Sequence, residues 1–236
     1  MKPVVHKNQS LAIVYDASRM DLPGAEYFTA GYWAARNVVQ GEAIGRGSAW
    51  FIDAPFGPVV LRRYLRGGWV AKLSHERYFF TTVSRSRPFR EFNILASLFE
   101  LGLPVPRPVA ALCEHSGIFS TGAIMTARIG GAQTLVDVLP EAENSAELSG
   151  DVGKCIRRFH DAGVWHADLN ARNILLNSEG HVYLIDFDRA RFTPGKKVDG
   201  QGNLSRLKRS LTKLWPVKQA EALQPSWEHL MAGYDG

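Results

Sequence analysis

Asp168, Asn173 and Asp186 are the residue types that phosphoryl transfer needs, set at a spacing that can bring them together. They lie in His166-Ala-Asp168-Leu-Asn170-Ala-Arg172-Asn173 and in Asp186-Phe187-Asp188. Moving a phosphoryl group is mostly positioning and charge neutralisation, so few side chains are required but their spacing is tightly constrained. Asp168, in a loop after a helix, is the expected base: its carboxylate can accept a hydroxyl proton and orient the oxygen for attack. Asn173 and Asp186 supply the hard oxygens that suit Mg²⁺ bridged to phosphates. His166 belongs to the same catalytic set and reads as a hydrogen-bonding brace for the loop. Each residue alone is an ordinary loop polar. Their conjunction, with a hairpin between the two Asp positions, carries the reading.

The pattern is that of a protein-kinase-like catalytic loop, with Asp188 where the usual Asp-Phe-Gly has glycine. Such a site also needs groups that hold ATP. Gly45-Arg46-Gly47-Ser48 is a candidate phosphate-covering turn, since glycines let backbone amides approach phosphates; it also reads as a plain hairpin turn. For the phosphate-pairing cation, Val59-Val60-Leu61-Arg62 places arginine where Val-Ala-Ile-Lys has lysine. Alternation puts Val60 and Arg62 on one face. Arg62 is therefore favoured, and counted with the catalytic residues, while Lys72 stays open as the second candidate. Glu91 is the expected partner of whichever cation serves, because helical spacing sets it with Leu95 and Leu98. Asp188 is either a further metal- or substrate-facing acid or a partner for Arg189 or Arg191. His160, His75 and His181 lack metal-ligand spacing and read as structural.

The elements that must position these groups follow from pattern. Residues 40–73 read as a twisted antiparallel sheet. A helix is expected from about Pro88 to Leu101, with Phe92, Leu95, Leu98 and Phe99 on its apolar face, and Gly102 ends it. The Pro-rich run 103–108 leads into another strand, and 118–127 reads as two short strands around Ser120-Thr-Gly122. A hinge at 128–131 precedes helices over about 134–139 and 146–162. The motif loop follows, then a hairpin of 174–176 with 181–185, then loop and helix. The class is α+β with two lobes sharing a cleft, divided as 1–127 and 128–236.

Composition sets the limits. The 236 residues are 45% hydrophobic and 22% charged, an ordinary balance for a soluble globular protein. Cys113 and Cys155 fit no metal or redox spacing and read as reduced, partly buried thiols. No apolar run suits a signal peptide or a membrane span, so a cytoplasmic protein is expected, one still able to sit on a membrane surface. The net charge of +5 is concentrated in clusters at 62–72, 85–90 and 206–213, which suggests phosphate-rich partners.

Taken together, these segments resemble the Kdo kinases of lipopolysaccharide biosynthesis. The resemblance rests on Gly45-Arg-Gly47, Leu61-Arg62-Arg-Tyr64-Leu-Arg-Gly67-Gly68, Gly102-Leu-Pro-Val-Pro-Arg-Pro108 and the motif loop through Leu176. It also includes Ile185-Asp-Phe-Asp-Arg189 and Asn203-Leu-Ser-Arg-Leu-Lys-Arg-Ser210, and covers roughly residues 25–235. It implies a protein-kinase-like fold and transfer of the ATP γ-phosphate to a hydroxyl of Kdo, the 4-hydroxyl being the expected position. The acceptor implied is Kdo-lipid A precursor at the cytoplasmic face of the inner membrane, with the enzyme bound peripherally. Little chain follows Asp188 and no Ala-Pro-Glu motif occurs, which leaves little room for the subdomain that grips protein substrates. The helix around 204–214 has Leu204, Leu207, Leu211 and Leu214 on one side and Arg206, Lys208, Arg209 and Lys213 around the other. It suits an anionic membrane surface, or packing on its own lobe, or both.

Alternatives within enzymes are a lipopolysaccharide core heptose kinase and a small RIO-like protein kinase. A pseudokinase scaffold conflicts with the intact Asp168, Asn173 and Asp186. Nucleic-acid binding lacks an interleaved aromatic platform, and no obligate protein partner is evident.

Overall fold

The structure, a computed structural model, describes residues 1–43, 49–64, 78–79, 82–116, 119–142 and 145–236. They divide into two compact units, Met1–Glu100 with Pro106–Arg128, and Leu101–Val105 with Ile129–Gly236. The class is α+β, with the large antiparallel sheet in the first unit and most of the helix in the second.

In the first unit the strands are β1 (Pro3–Lys7), β2 (Leu11–Asp16), β3 (Val39–Ala43), β4 (Ala49–Ala54), β5 (Gly57–Arg63), β6 (Tyr78–Phe79), β7 (Pro108–Ser116) and β8 (Phe119–Ala127). Their order is β1-β2-β7-β8-β5-β4-β3, antiparallel throughout, with β6 on β8. Alternation decides which side chains reach which face. Val59 and Leu61 of β5 enter a core with Ile13, Trp33, Ile52, Leu112 and Met125. Arg62 lies opposite Ile124 of β8 and takes the other face. That face is covered by α2 (Arg87–Glu100), which buries Phe89, Phe92, Leu95 and Leu98. Phe99, expected on the apolar face, is 37% exposed and lies under the Arg107 guanidinium, 5.5 Å from its ring centre. The short α1 (Ala30–Ala34) carries the buried Trp33.

The two short strands expected around Ser120-Thr-Gly122 are one continuous strand, β8, paired along β7. Gly122 is there for clearance. A Cβ at this position would stand 2.6 Å from Pro88 Cγ and 2.8 Å from the Leu112 carbonyl oxygen, so glycine marks the close approach of α2. The β1–β2 hairpin was not legible in the sequence, because β1 is an edge strand whose side chains are mostly exposed. Asp16 anchors it. Fully buried, Asp16 accepts hydrogen bonds from the backbone of Lys2 and Ser18, from Ser18 Oγ at 2.7 Å and from Arg107 Nε at 3.0 Å. Burial alone would raise its pKa, but these donors outweigh burial and hold it well below the usual carboxylate range.

The second unit contains β9 (Gln133–Thr134), α3 (Leu135–Val138), α4 (Ser145–Asp161), β10 (Val164–Trp165), β11 (Ile174–Leu176), β12 (Val182–Leu184), β13 (Arg191–Phe192), α5 (Gln201–Leu214) and α6 (Ala220–Asp235). The expected hairpin forms with Ile174 opposite Leu184 and Leu176 opposite Val182; β9 adds a third strand. Val152, Ile156 and Phe159 of α4 are buried as their spacing predicts. α6 crosses α4 closely, since a Cβ on Gly153 would fall 2.0 Å from the Leu230 carbonyl oxygen. Leu101–Val105 joins this unit through Leu184 N–H, which donates to Pro104 O at 3.0 Å, and Arg158 Nη2, which donates to Gly102 O at 3.1 Å. Both cysteines are buried and unpaired, and burial pushes the Cys155 thiol up to about 12. Among the described residues, no helix is long and apolar enough to cross a membrane.

Candidate active site

The loop from His166 to Asn173 is fixed by its own polar groups before any partner is considered. The Asp168 backbone N–H donates to His166 Nδ1 at 3.2 Å, and His166 Nε2 donates to the Ile185 carbonyl at 2.9 Å. His166 therefore ties the loop to the residue that precedes Asp186. Burial holds its pKa below the ordinary histidine value, against the Ile185 carbonyl and the nearby carboxylates, so the ring is neutral and can act as both acceptor and donor. The brace expected of His166 is what the geometry shows, and its ring packs edge-on against Phe187 at 4.8 Å.

Asn173 closes the loop. Its Nδ2 donates to the Asp168 carbonyl at 2.9 Å, and Asn170 Nδ2 donates to the same oxygen at 3.0 Å. The Asn173 amide nitrogen is thus used within the loop, which leaves Oδ1, a hard acceptor with no protein partner among the described residues. Ile185 N–H donates to Asn173 O at 3.0 Å, so the backbone of the two metal-ligand candidates is linked one residue from Asp186. Asp186 itself sits in the left-handed region at φ 65°, a conformation that few non-glycine residues adopt and that turns the chain sharply as it leaves β12. Phe187, fully buried and stacked on Phe159, pins the next position. Among the described residues no group of three or more His, Cys, Asp or Glu could hold a metal. Two oxygen ligands suit an ion that completes its shell with phosphate and water, as Mg²⁺ does.

Asp168 points its carboxylate outward, 44% exposed, and Oδ1 accepts from Arg206 Nε at 2.8 Å and from Arg206 Nη2. Sequence reading counted Arg206 only as a surface cation. The structure places it in a row on α5 with Asn203 and Ser210, spaced i, i+3, i+7, and all three bond the loop. Asn203, 1% exposed, accepts from His166 N–H at 3.1 Å and donates to His166 O at 2.6 Å. Ser210 Oγ accepts from Ala171 N–H at 3.1 Å. Behind Asn203, His160 Nε2 donates to Asn203 Oδ1 at 3.1 Å and the Tyr234 hydroxyl donates to His160 Nδ1 at 2.8 Å. Three helices therefore support one loop through a buried polar chain. The signal was present in Asn203-Leu-Ser-Arg206-Leu-Lys-Arg-Ser210, where the polar positions form a stripe beside the leucines.

Asp188 is buried at 8% exposure, whereas Arg189 and Arg191 are exposed and the Arg191 guanidinium stacks 5.1 Å over Trp165.

The first unit holds the expected cation and its acid together. Arg62 Nη2 donates to both carboxylate oxygens of Glu91, at 2.6 and 2.5 Å, and the Tyr64 hydroxyl donates to Glu91 Oε2 at 2.5 Å. Glu91 is 3% exposed in its side chain and Arg62 27%, so the carboxylate is buried and its partner reaches it from the rim. The helical-face argument for Glu91 and the alternation argument for Arg62 meet in this pair. Gly45, Arg46, Gly47, Ser48, Lys72 and His75 lie outside the described residues.

Known proteins are similar to this chain over most of its length. Residues 30–234 match the lipopolysaccharide kinase (Kdo/WaaP) family. A 3-deoxy-D-manno-octulosonic acid kinase of Stenotrophomonas maltophilia (strain R551-3) is 44% identical over 224 residues, covering 95% of this chain and 89% of the relative. Proteins of the same name from Xanthomonas oryzae pv. oryzae (strain PXO99A) and Xanthomonas campestris pv. campestris (strain 8004) are 41% and 40% identical over 226 residues, at the same coverage. With the motif loop, the Arg62–Glu91 pair and a match over most of its length, the chain belongs to the lipopolysaccharide kinase (Kdo/WaaP) family.

Proposed function

We propose that this kinase transfers the γ-phosphoryl group of ATP to the 4-hydroxyl of Kdo on Kdo-lipid A precursor. Membership of the family makes the chain a phosphotransferase acting on a hydroxyl group, with an α+β protein-kinase-like fold. The acceptor is the reading that the relatives' names support. The observation that carries the chemistry is Asp168: an outward carboxylate on a backbone fixed at His166, Asn170 and Asn173, with Oδ2 unengaged among the described residues.

In the proposed step Asp168 Oδ2 accepts the hydroxyl proton as that oxygen bonds to the γ-phosphorus. The bond from the γ-phosphorus to the bridging oxygen breaks, and ADP leaves with that electron pair. Asn173 and Asp186 would hold a divalent cation, Mg²⁺ being the ion that suits them, and it supplies charge neutralisation for the phosphates when bound. Arg62, held by Glu91, contributes positive charge to the nucleotide's phosphates. It stands where related kinases carry lysine, and differs from it in presenting a planar fork of donors rather than a point charge. The site of action proposed is the cytoplasmic face of the inner membrane, with the enzyme held peripherally by anionic lipid. The exposed Arg209 and Lys213 of α5 support this.

Transfer of radiolabel from ATP to purified Kdo-lipid A precursor tests the reading. Wild type is expected to label the lipid, and Asp168→Ala to lose at least about two orders of magnitude in rate. Labelling that persists in the variant overturns the assignment of the base. Failure of wild type to label Kdo, with heptosylated core labelled instead, overturns the acceptor.

A further inference from the structure

Arg206 engages Asp168 with one edge only. Nε and Nη2 both point at Oδ1, and among the described residues the guanidinium has no other partner. Nη1 and the second Nη2 hydrogen therefore form an unused fork, on a side chain that is 47% exposed. Its neighbours on α5 do not share this position: Lys208 lies 5.3 Å over the Trp227 ring, and Arg209 and Lys213 face outward. Arg206 is thus the α5 cation placed beside the carboxylate at which the acceptor hydroxyl must arrive.

We infer that the free edge of Arg206 binds a carboxylate of the acceptor sugar, and that this contact selects which hydroxyl reaches Asp168. The inference rests on the reading of Asp168 as the base. The chemistry of the acceptor fits it. A 3-deoxy-2-octulosonic acid in ring form carries an ionised carboxylate on C2, a methylene at C3 and a hydroxyl on C4. The anionic group and the reacting oxygen are then separated by a single ring carbon between their attachment points, which matches two adjacent protein groups, one cationic and one basic. Guanidinium to carboxylate is a two-bond, planar contact that fixes orientation as well as adding affinity. A neutral sugar offers this fork nothing. Arg206 therefore acts as a specificity determinant for sugar acids, and its contact with Asp168 ties recognition to the base: the group that reads the acid also holds Oδ1, so that Oδ2 faces the hydroxyl.

The test compares the Kdo-lipid acceptor with the same acceptor carrying a methyl-esterified carboxyl, at saturating ATP. Wild type is expected to lose roughly 10- to 100-fold in kcat/KM on the ester, the size of a charge-assisted hydrogen-bond pair. Arg206→Ala should lose a similar factor on the acid and then treat acid and ester alike, with the KM for ATP unchanged. Arg206→Lys should recover part of the discrimination. An Arg206→Ala enzyme that still prefers the acid by the wild-type factor overturns the inference, as does an equal loss on both acceptors, the mark of a merely structural role. Asp168→Asn separates the two readings. If it is inactive on both acceptors while Arg206→Ala keeps the wild-type preference, the carboxylate contact alone fails. If it stays active, the base assignment fails and this inference with it.

Discussion

Glu91 of α2 receives Arg62 Nη2 on both of its carboxylate oxygens and the Tyr64 hydroxyl on one of them. The acid is buried at the helix–sheet junction, so its charge must be met where it sits. Arginine does so from the strand edge, and the Tyr64 ring lies 4.9 Å from the same guanidinium carbon. One guanidinium nitrogen, Nη2, thus meets both carboxylate oxygens, and the planar fork fixes the orientation of the pair in a way that a point-charge ammonium does not.

Removing Arg62 should therefore act on stability and on the nucleotide together. Arg62→Ala removes the guanidinium from a buried carboxylate, and a loss of about 2–3 kcal/mol is expected, read as a lower urea midpoint. The same variant should raise the KM for ATP by more than tenfold with the KM for the acceptor little changed. Arg62→Ala combined with Glu91→Gln should recover most of the stability and none of the ATP affinity. Full recovery of ATP affinity in the double variant would show that Arg62 serves Glu91 alone.

The buried chain Tyr234–His160–Asn203 gives the fold a pH dependence of known sign. Burial, with the nearby Arg157 cation, lowers the His160 pKa against the hydrogen bond that His160 donates to Asn203 and the carboxylates of Asp161 and Asp199. Above the unfolded value of about 6.5 both states are neutral and the contribution is fully present. As pH falls below that value the unfolded chain takes up the proton first, and stability declines by up to about 1.4 kcal/mol per unit until the folded value is reached. His166 is lowered in the same direction and adds to the slope. Urea midpoints between pH 7.5 and 5.5 should fall, and His160→Gln should reduce the slope. An unchanged slope in the variant would remove His160 from the account. Asp16, whose pKa is also lowered, acts in a different window: its contribution is lost only as pH drops below about 4.

What the sequence made legible divides along contact distance. Asp168, Asn173 and Asp186 could be grouped because one loop and one hairpin carry them, and local hydrogen bonds close that unit. Arg62 and Glu91 could be paired because strand alternation and helical periodicity each aim a side chain at the same junction. Arg206 could not be placed in this way. Its partner is 38 residues earlier, and a helix with leucines at 204, 207 and 211 shows the same pattern whichever loop lies against its polar stripe. Gly122 suggests a break between two short strands for a related reason: the clearance it provides is against Pro88 on another element, and nothing in its neighbours records that approach.

The same partition of α5 sharpens the expectation for the membrane. Of the four basic residues on this helix, Arg206 is engaged with Asp168 and Lys208 with the Trp227 ring, which leaves Arg209 and Lys213 as the exposed cations without such a partner among the described residues. Near an anionic surface each contributes about 1 kcal/mol. Arg209→Ala combined with Lys213→Ala should therefore weaken binding to phosphatidylglycerol-containing vesicles roughly 30-fold, by about 2 kcal/mol, at low salt. The effect should shrink at 0.5 M salt, because screening shortens the reach of surface charges. Turnover on a delipidated, soluble Kdo acceptor should stay at the wild-type level, since neither side chain touches the loop that carries Asp168. Vesicle sedimentation indistinguishable from wild type would move the membrane contact off α5, to the basic clusters at 62–72 and 85–90.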